Sequence, residues 1–436
     1  MHRLLALWIR LRSSLWFLPS VIVLFAVVLG LFLSAVGNFI PMLAQDELPV
    51  FFGFGAEGSR AMLSAIATSM ITVAGVAFSI TIVALSLASQ QYSPRVLRHF
   101  MRDQGNQTVL GVFVGVFAYC LVVLPSIRGG DHASHVPALA VLVGVVLALC
   151  GVTCLIYFIH HVATAIQASA ILTAVATETH AAISLLFPET LGREAGAPPC
   201  DLNDLHWHPI ASPATGYLQM VDETTLLRWA NETDCVLRME GRVGDFILRG
   251  APLVSASRSL EDNADATAAI ATTFAIDRTR SIEQDASFGL RQIVDVALRA
   301  LSPSLNDTTT AVLCINHLAD LLRHTAARQP ESPYRVQDGK LRVIAQRAEF
   351  DHMVALAFDQ IRESGTNNVV VLDRLLWAIA QIEERTTLPA RRETLSRAAL
   401  AVGATAERTL ADPAARATTA RTAADLARRC QRPGVA

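Results

Sequence analysis

Four stretches of this sequence, residues 15–36, 61–88, 109–127 and 136–158, contain no Asp, Glu, Lys or Arg. A helix needs about 20 mostly apolar residues to cross roughly 30 Å of hydrocarbon, and each stretch is of that order. Charge at the bilayer centre costs about 2.5–3.5 kcal/mol on insertion scales, so lipid selects for such an absence. Over the whole chain 17% of residues are charged and the mean hydropathy is +0.40. Soluble proteins carry about 25% charged residues. The deficit is concentrated before residue 160, and from residue 190 onward charges have an ordinary density. This asymmetry predicts a four-helix transmembrane domain over residues 1–160 and a water-soluble region after it. The first stretch exceeds the 7–15 residue core of a secretory signal and runs on past Pro19, so it reads as a retained anchor.

Arginines near the span ends predict orientation, because basic residues stay on the cytoplasmic side. Arg3, Arg10 and Arg12 precede the first span, and Arg95, Arg98 and Arg102 lie between the second and third. The loop from Pro41 to Arg60 instead carries Asp46, Glu47 and Glu57, and the loop after the third span has Arg128 alone. Both termini and the large C-terminal half are therefore expected in the cytoplasm, where thiols stay reduced.

Some chemistries are excluded by residue usage. Lys340 is the only lysine, and no G-x-x-x-x-G-K-[ST] phosphate loop exists. Schiff-base chemistry would have to use Lys340. The seven cysteines, Cys120, Cys150, Cys154, Cys200, Cys235, Cys314 and Cys430, show no repeated spacing and suggest no disulfide framework. A net charge of −2 offers no basic field for nucleic acid. No cofactor or metal site is expected.

Within the membrane half, the second span carries Ser64, Thr68, Thr72, Gly75, Ser79, Ser86 and Ser89 at helical spacings, a stripe on one face. Two readings stand: close helix packing of the small-xxx-small type, or the lining of a water-filled path. Its 28 residues would extend about 42 Å, so the helix must tilt or project from the bilayer. After it, Ser93 and Pro94 open a segment with Val96, Leu97, Phe100 and Met101 on one face and Arg95, Arg98 and Arg102 on the other. That pattern suits a short helix on the inner leaflet, or a solvated elbow. The fourth span ends at His160 and His161, and its apolar period continues to Pro188 as one long helix or two nearly collinear ones. Cys150, Cys154 and His161 can share a face there, which ordinary packing explains.

A Gly/Ala/Pro-rich linker at residues 192–199 ends a connecting segment over 161–199. Short strand signals then predict a small β-rich module over 200–282, in which His206, His208 and Ile210 alternate on one side. Its Gly244-Asp245-Phe246 turn resembles that of barrel-sandwich carrier modules, but carriers hold their cofactor on a lysine and this region has none. Residues 283–436 read as a helical domain, with helices near 286–301, 308–324, 340–363, 368–385, 390–410 and 413–429. The densest polar cluster is Asp277, Arg278, Arg280, Glu283, Asp285, Arg291, Asp295, Arg299, Asn306 and Asp307. Asp285 and Asp307 suit helix N-caps, and Arg291, Asp295 and Arg299 fall four apart on one face. The cluster reads either as ion pairs and caps fixing a turn between helices, or as a site for a small polar ligand or ion. It holds no activated nucleophile, so catalysis is not expected; an enzyme acting on a lipid or envelope precursor is the third reading.

Three segments carry a likeness to a known family. They are Ser89-Gln90-Gln91-Tyr92-Ser93-Pro94-Arg95, the Gly244-Asp245-Phe246 turn, and Gln284-Asp285 through Phe288-Gly289-Leu290 to Ala300-Leu301-Ser302-Pro303-Ser304-Leu305-Asn306-Asp307. Together they resemble the bacterial predicted membrane proteins of domain-of-unknown-function family 2254. One departure is Thr308, where a proline is expected after Asn-Asp. The resemblance implies a shared layout of membrane half plus soluble half, and no activity. The expectation is thus an integral membrane α-helical protein with four transmembrane helices, followed by an α+β cytoplasmic region of small β-module plus helical bundle. It would sit in the bacterial inner membrane as a homo-oligomer in the lipid bilayer. A channel or transport-related assembly is the leading function. The alternative is a membrane-anchored sensor or scaffold whose cytoplasmic domain binds a small ion, ligand or protein partner.

Overall fold

A computed structural model describes residues 16–36, 55–91, 103–128, 136–165, 167–186, 205–260, 263–328, 332–346 and 349–432. The N-terminal arginines, Asp46, Glu47, the Ser93–Arg102 segment, the 192–199 linker and Cys200 lie outside the described residues. The chain divides into two compact units, residues 1–171 and 172–436.

In the first unit, four helices are long and apolar enough to cross a membrane: α1 (Phe17–Val36), α2 (Ala56–Gln91), α3 (Gln104–Val123, extended by a 3-10 turn to Ser126) and α4 (Ala138–Ala165). They correspond to the four uncharged stretches. Three of the helices outrun those stretches, α2 at both ends, α3 at its start and α4 at its end, where polar groups find partners. Asp103 caps α3, accepting from the Gly105 amide at 2.9 Å. Arg60, in the first turns of α2, donates its Nε to the Ile127 carbonyl at 3.1 Å. Inside the bundle the buried side of α2 is Leu63, Ala67, Met70, Ala74, Ala77 and Ala84, the alternating three- and four-residue step of a packed seam. Glycines on the neighbouring helices permit close approach. A Cβ on Gly144 of α4 would stand 2.8 Å from Leu63, and one on Gly111 of α3 would stand 3.0 Å from the Pro19 backbone of α1. Intimate packing and polar contacts of this kind are what can hold helices together where lipid supplies no hydrophobic drive between them. One such contact is the fully buried Tyr119, whose hydroxyl donates to the Ala140 carbonyl at 2.7 Å.

The next helix in the chain is α5 (Ala168–Leu186), most of whose residues belong to the second unit. There β1 (His208–Ala211), β2 (Gly216–Val221), α6 (Glu223–Glu232), β3 (Leu237–Met239), β4 (Phe246–Ile247), β5 (Pro252–Ala256), α7 (Ala264–Thr272) and β6 (Phe274–Asp277) come first. Then α8 (Ala286–Ala300), α9 (Thr308–Ala326), β7 (Tyr334–Gln337), β8 (Lys340–Ile344), α10 (Phe350–Ser364), α11 (Val369–Glu383), α12 (Pro389–Thr409) and α13 (Pro413–Gln431) follow. Five strands pair in the order β1-β5-β3-β8-β7, with β3 and β8 parallel; three pair as β4-β2-β6, all antiparallel. Leu218, Leu226, Leu237, Leu253, Ile270 and Val343 form their common core.

Two local expectations are corrected. Residues 340–363 are not one helix: Lys340–Ile344 is a strand, and the helix begins at Phe350. The cause is the Asp338-Gly339 turn, whose residues have φ of 53° and 73° and which closes a two-residue hairpin between Gln337 and Lys340. Two successive positive φ angles match the twist of paired strands and stop a helix. The β-rich stretch also contains α6 and α7, capped by Asp222 and Asn263. In the helical part, Glu383 of α11 is 7% exposed and receives Arg392 of α12 and, at 2.6 Å, Arg429 of α13. Three helices are thereby stapled at one buried carboxylate.

Candidate functional site

The polar cluster predicted between Asp277 and Asp307 is distributed along α8 rather than gathered at one point. At its N-terminus Asp285 caps the helix, accepting from the Phe288 amide at 3.0 Å through Oδ1. Oδ2 of the same carboxylate accepts from Arg280 Nε at 2.8 Å and Nη2 at 2.6 Å. The guanidinium lies 5.0 Å from the Phe288 ring centroid. Asp285 is 5% exposed, and burial pushes its carboxyl above the ordinary range even though Arg280 and the Phe288 amide pull the other way. Directly against this pair stands Gly244, at φ +97°, where a Cβ would come within 2.7 Å of Arg280 Nη2 and closer still to Asp285. The Gly244 amide donates to Leu218 at 2.7 Å, and Leu218 returns a bond to Asp245 at 3.0 Å. Gln284 accepts from the Val221 amide at 3.0 Å. The Gly-Asp-Phe turn and the Gln-Asp segment, 40 residues apart in sequence, therefore form one junction clamped onto β2. Four residues further along, Gly289 packs on Thr179 of α5, where a Cβ would stand 2.8 Å from the Thr179 Cβ.

Midway along α8, Arg291 pairs with Asp295 at 2.9 Å and donates to Gln360 of α10 at 2.7 Å. Arg299 lies in the last turn, where the helix dipole favours a cation. Beyond the C-terminus Asn306 adopts φ +46°, the Asp307 amide donates to Ala300 at 2.8 Å, and Asp307 caps α9 by accepting from Thr310 at 3.0 Å. The hydroxyl and amide of Thr310 hold the Asp307 carboxyl below its usual range. Since α8 spans 15 residues, about 22 Å, Asp285 and Asp307 serve opposite ends of it. Asp277 and Arg278 close β6, where the Arg278 amide donates to the Asp277 carboxylate at 2.7 Å. Glu283 is exposed in the loop before α8.

The stripe of the second span has a definite position. Ser64, Thr68, Thr72, Gly75, Ser79 and Ser86 are all exposed within their own unit; the side chain of Ser89 lies outside the described residues. At 100° per residue the stripe is centred about 140° round α2 from the buried seam. Its hydroxyls are not all idle: Thr72 donates to the Thr68 carbonyl at 2.7 Å. A Cβ placed on Gly75 meets nothing within 4 Å.

His161, at the end of α4, pairs with Asp103 and stacks on Tyr157 with ring centroids 5.3 Å apart. Among the described residues no three His, Cys, Asp or Glu side chains are arranged to hold a metal. His206 and His208 are exposed, and Cys150 and Cys154 lie on α4 without forming a pair. One cluster had no sequence signal. His180 of α5 bonds Asp320 of α9 at 2.7 Å and meets His324 edge-on, with centroids 4.6 Å apart, while Ser184 lies 3.2 Å from His324 Nε2. Nearby His317 is held below its ordinary pKa by burial. The spacing of His317, Asp320 and His324 puts them on one helix face, but their partners lie about 140 residues earlier.

A family model described as "Predicted membrane protein (DUF2254)" matches residues 12–381. Uncharacterized proteins of Mycobacterium tuberculosis, in strains CDC 1551 / Oshkosh and H37Rv, and of Mycobacterium bovis are each 32% identical over 439 residues, covering 97% of this chain and 82% of the relative. No solved structure matches.

Proposed function

This chain belongs to the DUF2254 family of predicted membrane proteins, and from that premise we propose that it is a multi-pass inner-membrane protein that assembles around its second span to form a path for a small ion. The arginine distribution at the span ends supports a cytoplasmic position for both termini. The observation that carries the reading is the direction of the stripe on α2: six small or hydroxyl residues turn away from the subunit's own seam. Large apolar side chains such as Phe78, Ile80 and Val83 are suited to lipid and are exposed beside them. A stripe without bulk gives lipid little to hold, whereas it lets a second helix or a column of water come close. The direct test is reconstitution into liposomes with an ion-flux readout. Absence of conductance across voltage, membrane tension and added ligand would remove the proposal.

A second reading, an anchored sensor or scaffold, is favoured by the junction at Asp285. There the Gly244 turn, Arg280 and α8 are locked together by a half-buried ion pair, an arrangement suited to transmitting a ligand's or partner's binding. Leucine substitutions at Ser64, Thr68 and Ser79 separate the two readings: a conducting path changes its flux, and an anchor does not.

A further inference from the structure

The outer face of the β4-β2-β6 sheet is an unpartnered apolar surface in the second unit. Its inner face is ordinary core, with Leu218 fully buried and Ile247 8% exposed. Alternation turns the intervening side chains outward. Phe246, Leu248 and Met220 are 55%, 59% and 47% exposed. Tyr217, opposite Phe246 in the register, meets it edge-on with ring centroids 5.0 Å apart. Two exposed arginines flank this face: Arg249 directly follows Leu248, and Arg278 follows Asp277, the cross-strand neighbour of Tyr217. Neither guanidinium has an acidic partner among the described residues, unlike Arg238, Arg242 and Arg280 around them. Of the acidic groups nearby, Asp245 is paired with Arg242 at 3.8 Å, and Asp277 accepts a bond from the Arg278 amide that leaves its charge in place beside the two arginines.

We propose that this sheet face docks on an anionic lipid surface, with Phe246, Leu248 and Met220 entering the headgroup region and Arg249 and Arg278 meeting lipid phosphates and carboxylates. Exposed aromatic and aliphatic side chains flanked by two arginines with no acidic partner among the described residues have the composition of an interfacial site, where buried apolar area and attraction to anionic lipid add. Arginine stems lie along apolar surface while their heads stay at the polar boundary. The occupant is lipid because the same chain carries four membrane-grade helices, so the second unit is covalently tethered to a bilayer and weak docking becomes effective at high local concentration. The inference rests on the membrane reading above, and not on conduction.

The test uses the full-length chain carrying Phe246→Trp, an exposed position where folding is not at stake. It is reconstituted into phosphatidylcholine vesicles with and without phosphatidylserine, and into the same lipids with brominated acyl chains. Bromine is expected to reduce the emission of the added indole, measured as the difference from the parent chain, with a larger loss when phosphatidylserine is present. The double change Arg249→Glu and Arg278→Glu should abolish that extra loss. Free access of acrylamide to the indole with no bromine effect overturns docking. Shielding that ignores bromine and grows with protein-to-lipid ratio also overturns it, in favour of a second copy of the chain. Flotation keeps the premises apart: failure to float with the vesicles removes the membrane reading, while floating without bromine quenching removes the docking alone.

Discussion

Asn368 donates its side-chain amide to the hydroxyl of Thr308 at 2.7 Å, joining the first turns of α9 and α11. The same Asn368 caps α11, accepting from Val370 at 3.1 Å and Val371 at 3.3 Å. Thr308 is the position where the family likeness led to an expected proline. A proline would supply a good first helical residue but no hydroxyl. The threonine loses that rigidity and gains a bond to a helix 60 residues away.

This relationship gives a graded expectation. Thr308→Val removes the acceptor while keeping shape, and should cost about 1 kcal/mol. Asn368→Ala removes both the cross-helix donor and a helix cap, and should cost about 2 kcal/mol. Thermal unfolding of the purified chain in detergent reads both. Equal melting temperatures for the two variants would show that the Asn368 cap contributes nothing.

Gly244 and Gly250 offer a matched comparison. Both have positive φ, at +97° and +83°, but a Cβ on Gly250 meets nothing within 4 Å while one on Gly244 runs into Asp285 and Arg280. Gly250→Ala should therefore cost only the backbone strain, about 1 kcal/mol. Gly244→Ala adds disruption of an ion pair buried only on its Asp285 side, so its extra cost should stay below the roughly 3–5 kcal/mol of breaking a fully buried pair. Limited proteolysis of the second unit should rank the variants in that order.

The raised pKa of Asp285 has a definite pH signature. A carboxyl whose folded value lies above its unfolded value of 3.8 holds its proton longer in the native state. Its contribution to stability is therefore most favourable at pH below 3.8 and declines as pH rises from there through the folded value. Asp285→Asn keeps an oxygen for the Phe288 cap and removes this titration. The stability difference between parent and variant should change with pH in that window and become flat above it. A difference independent of pH throughout would mean that Asp285 titrates alike in both states.

The four long apolar helices were legible because a helix fit to cross lipid obeys one rule at every residue, and a run without charge can be counted. The caps at Asp285 and Asp307 were legible for a similar reason: a cap is a local bond, written within three residues of sequence. The Lys340–Ile344 strand was missed because its apolar residues fit either period, and the deciding signal was the Asp-Gly turn before it. The helices α6 and α7 were hidden among strand signals, each being only 10 and 9 residues long. Nothing local connected Gly244 with Asp285, or His180 with Asp320, since those contacts exist only after the chain has folded back on itself. The ten-residue polar cluster looked like one site for the opposite reason. Neighbours in sequence are drawn apart when a 15-residue helix runs between them.

Gly75 gives the sharpest test of assembly around the second span. Within its own subunit there is open space at this position, so Gly75→Leu should leave the bundle's packing unchanged. It also replaces a poor helix former by a good one, favouring the helix by about 1 kcal/mol. Gly144→Leu differs, because a Cβ there is already 2.8 Å from Leu63. If the stripe faces lipid, Gly75→Leu is neutral or stabilising by every measure. If it faces another subunit or a shared water path, the added bulk should reduce cross-linked oligomer and ion flux while the melting temperature of the subunit holds. Light scattering in detergent, cross-linking in membranes and flux in liposomes, made on the same preparation, decide between these outcomes. Unchanged oligomer size and flux in Gly75→Leu would leave the second span as a lipid-facing helix and take away the ground for assembly around it.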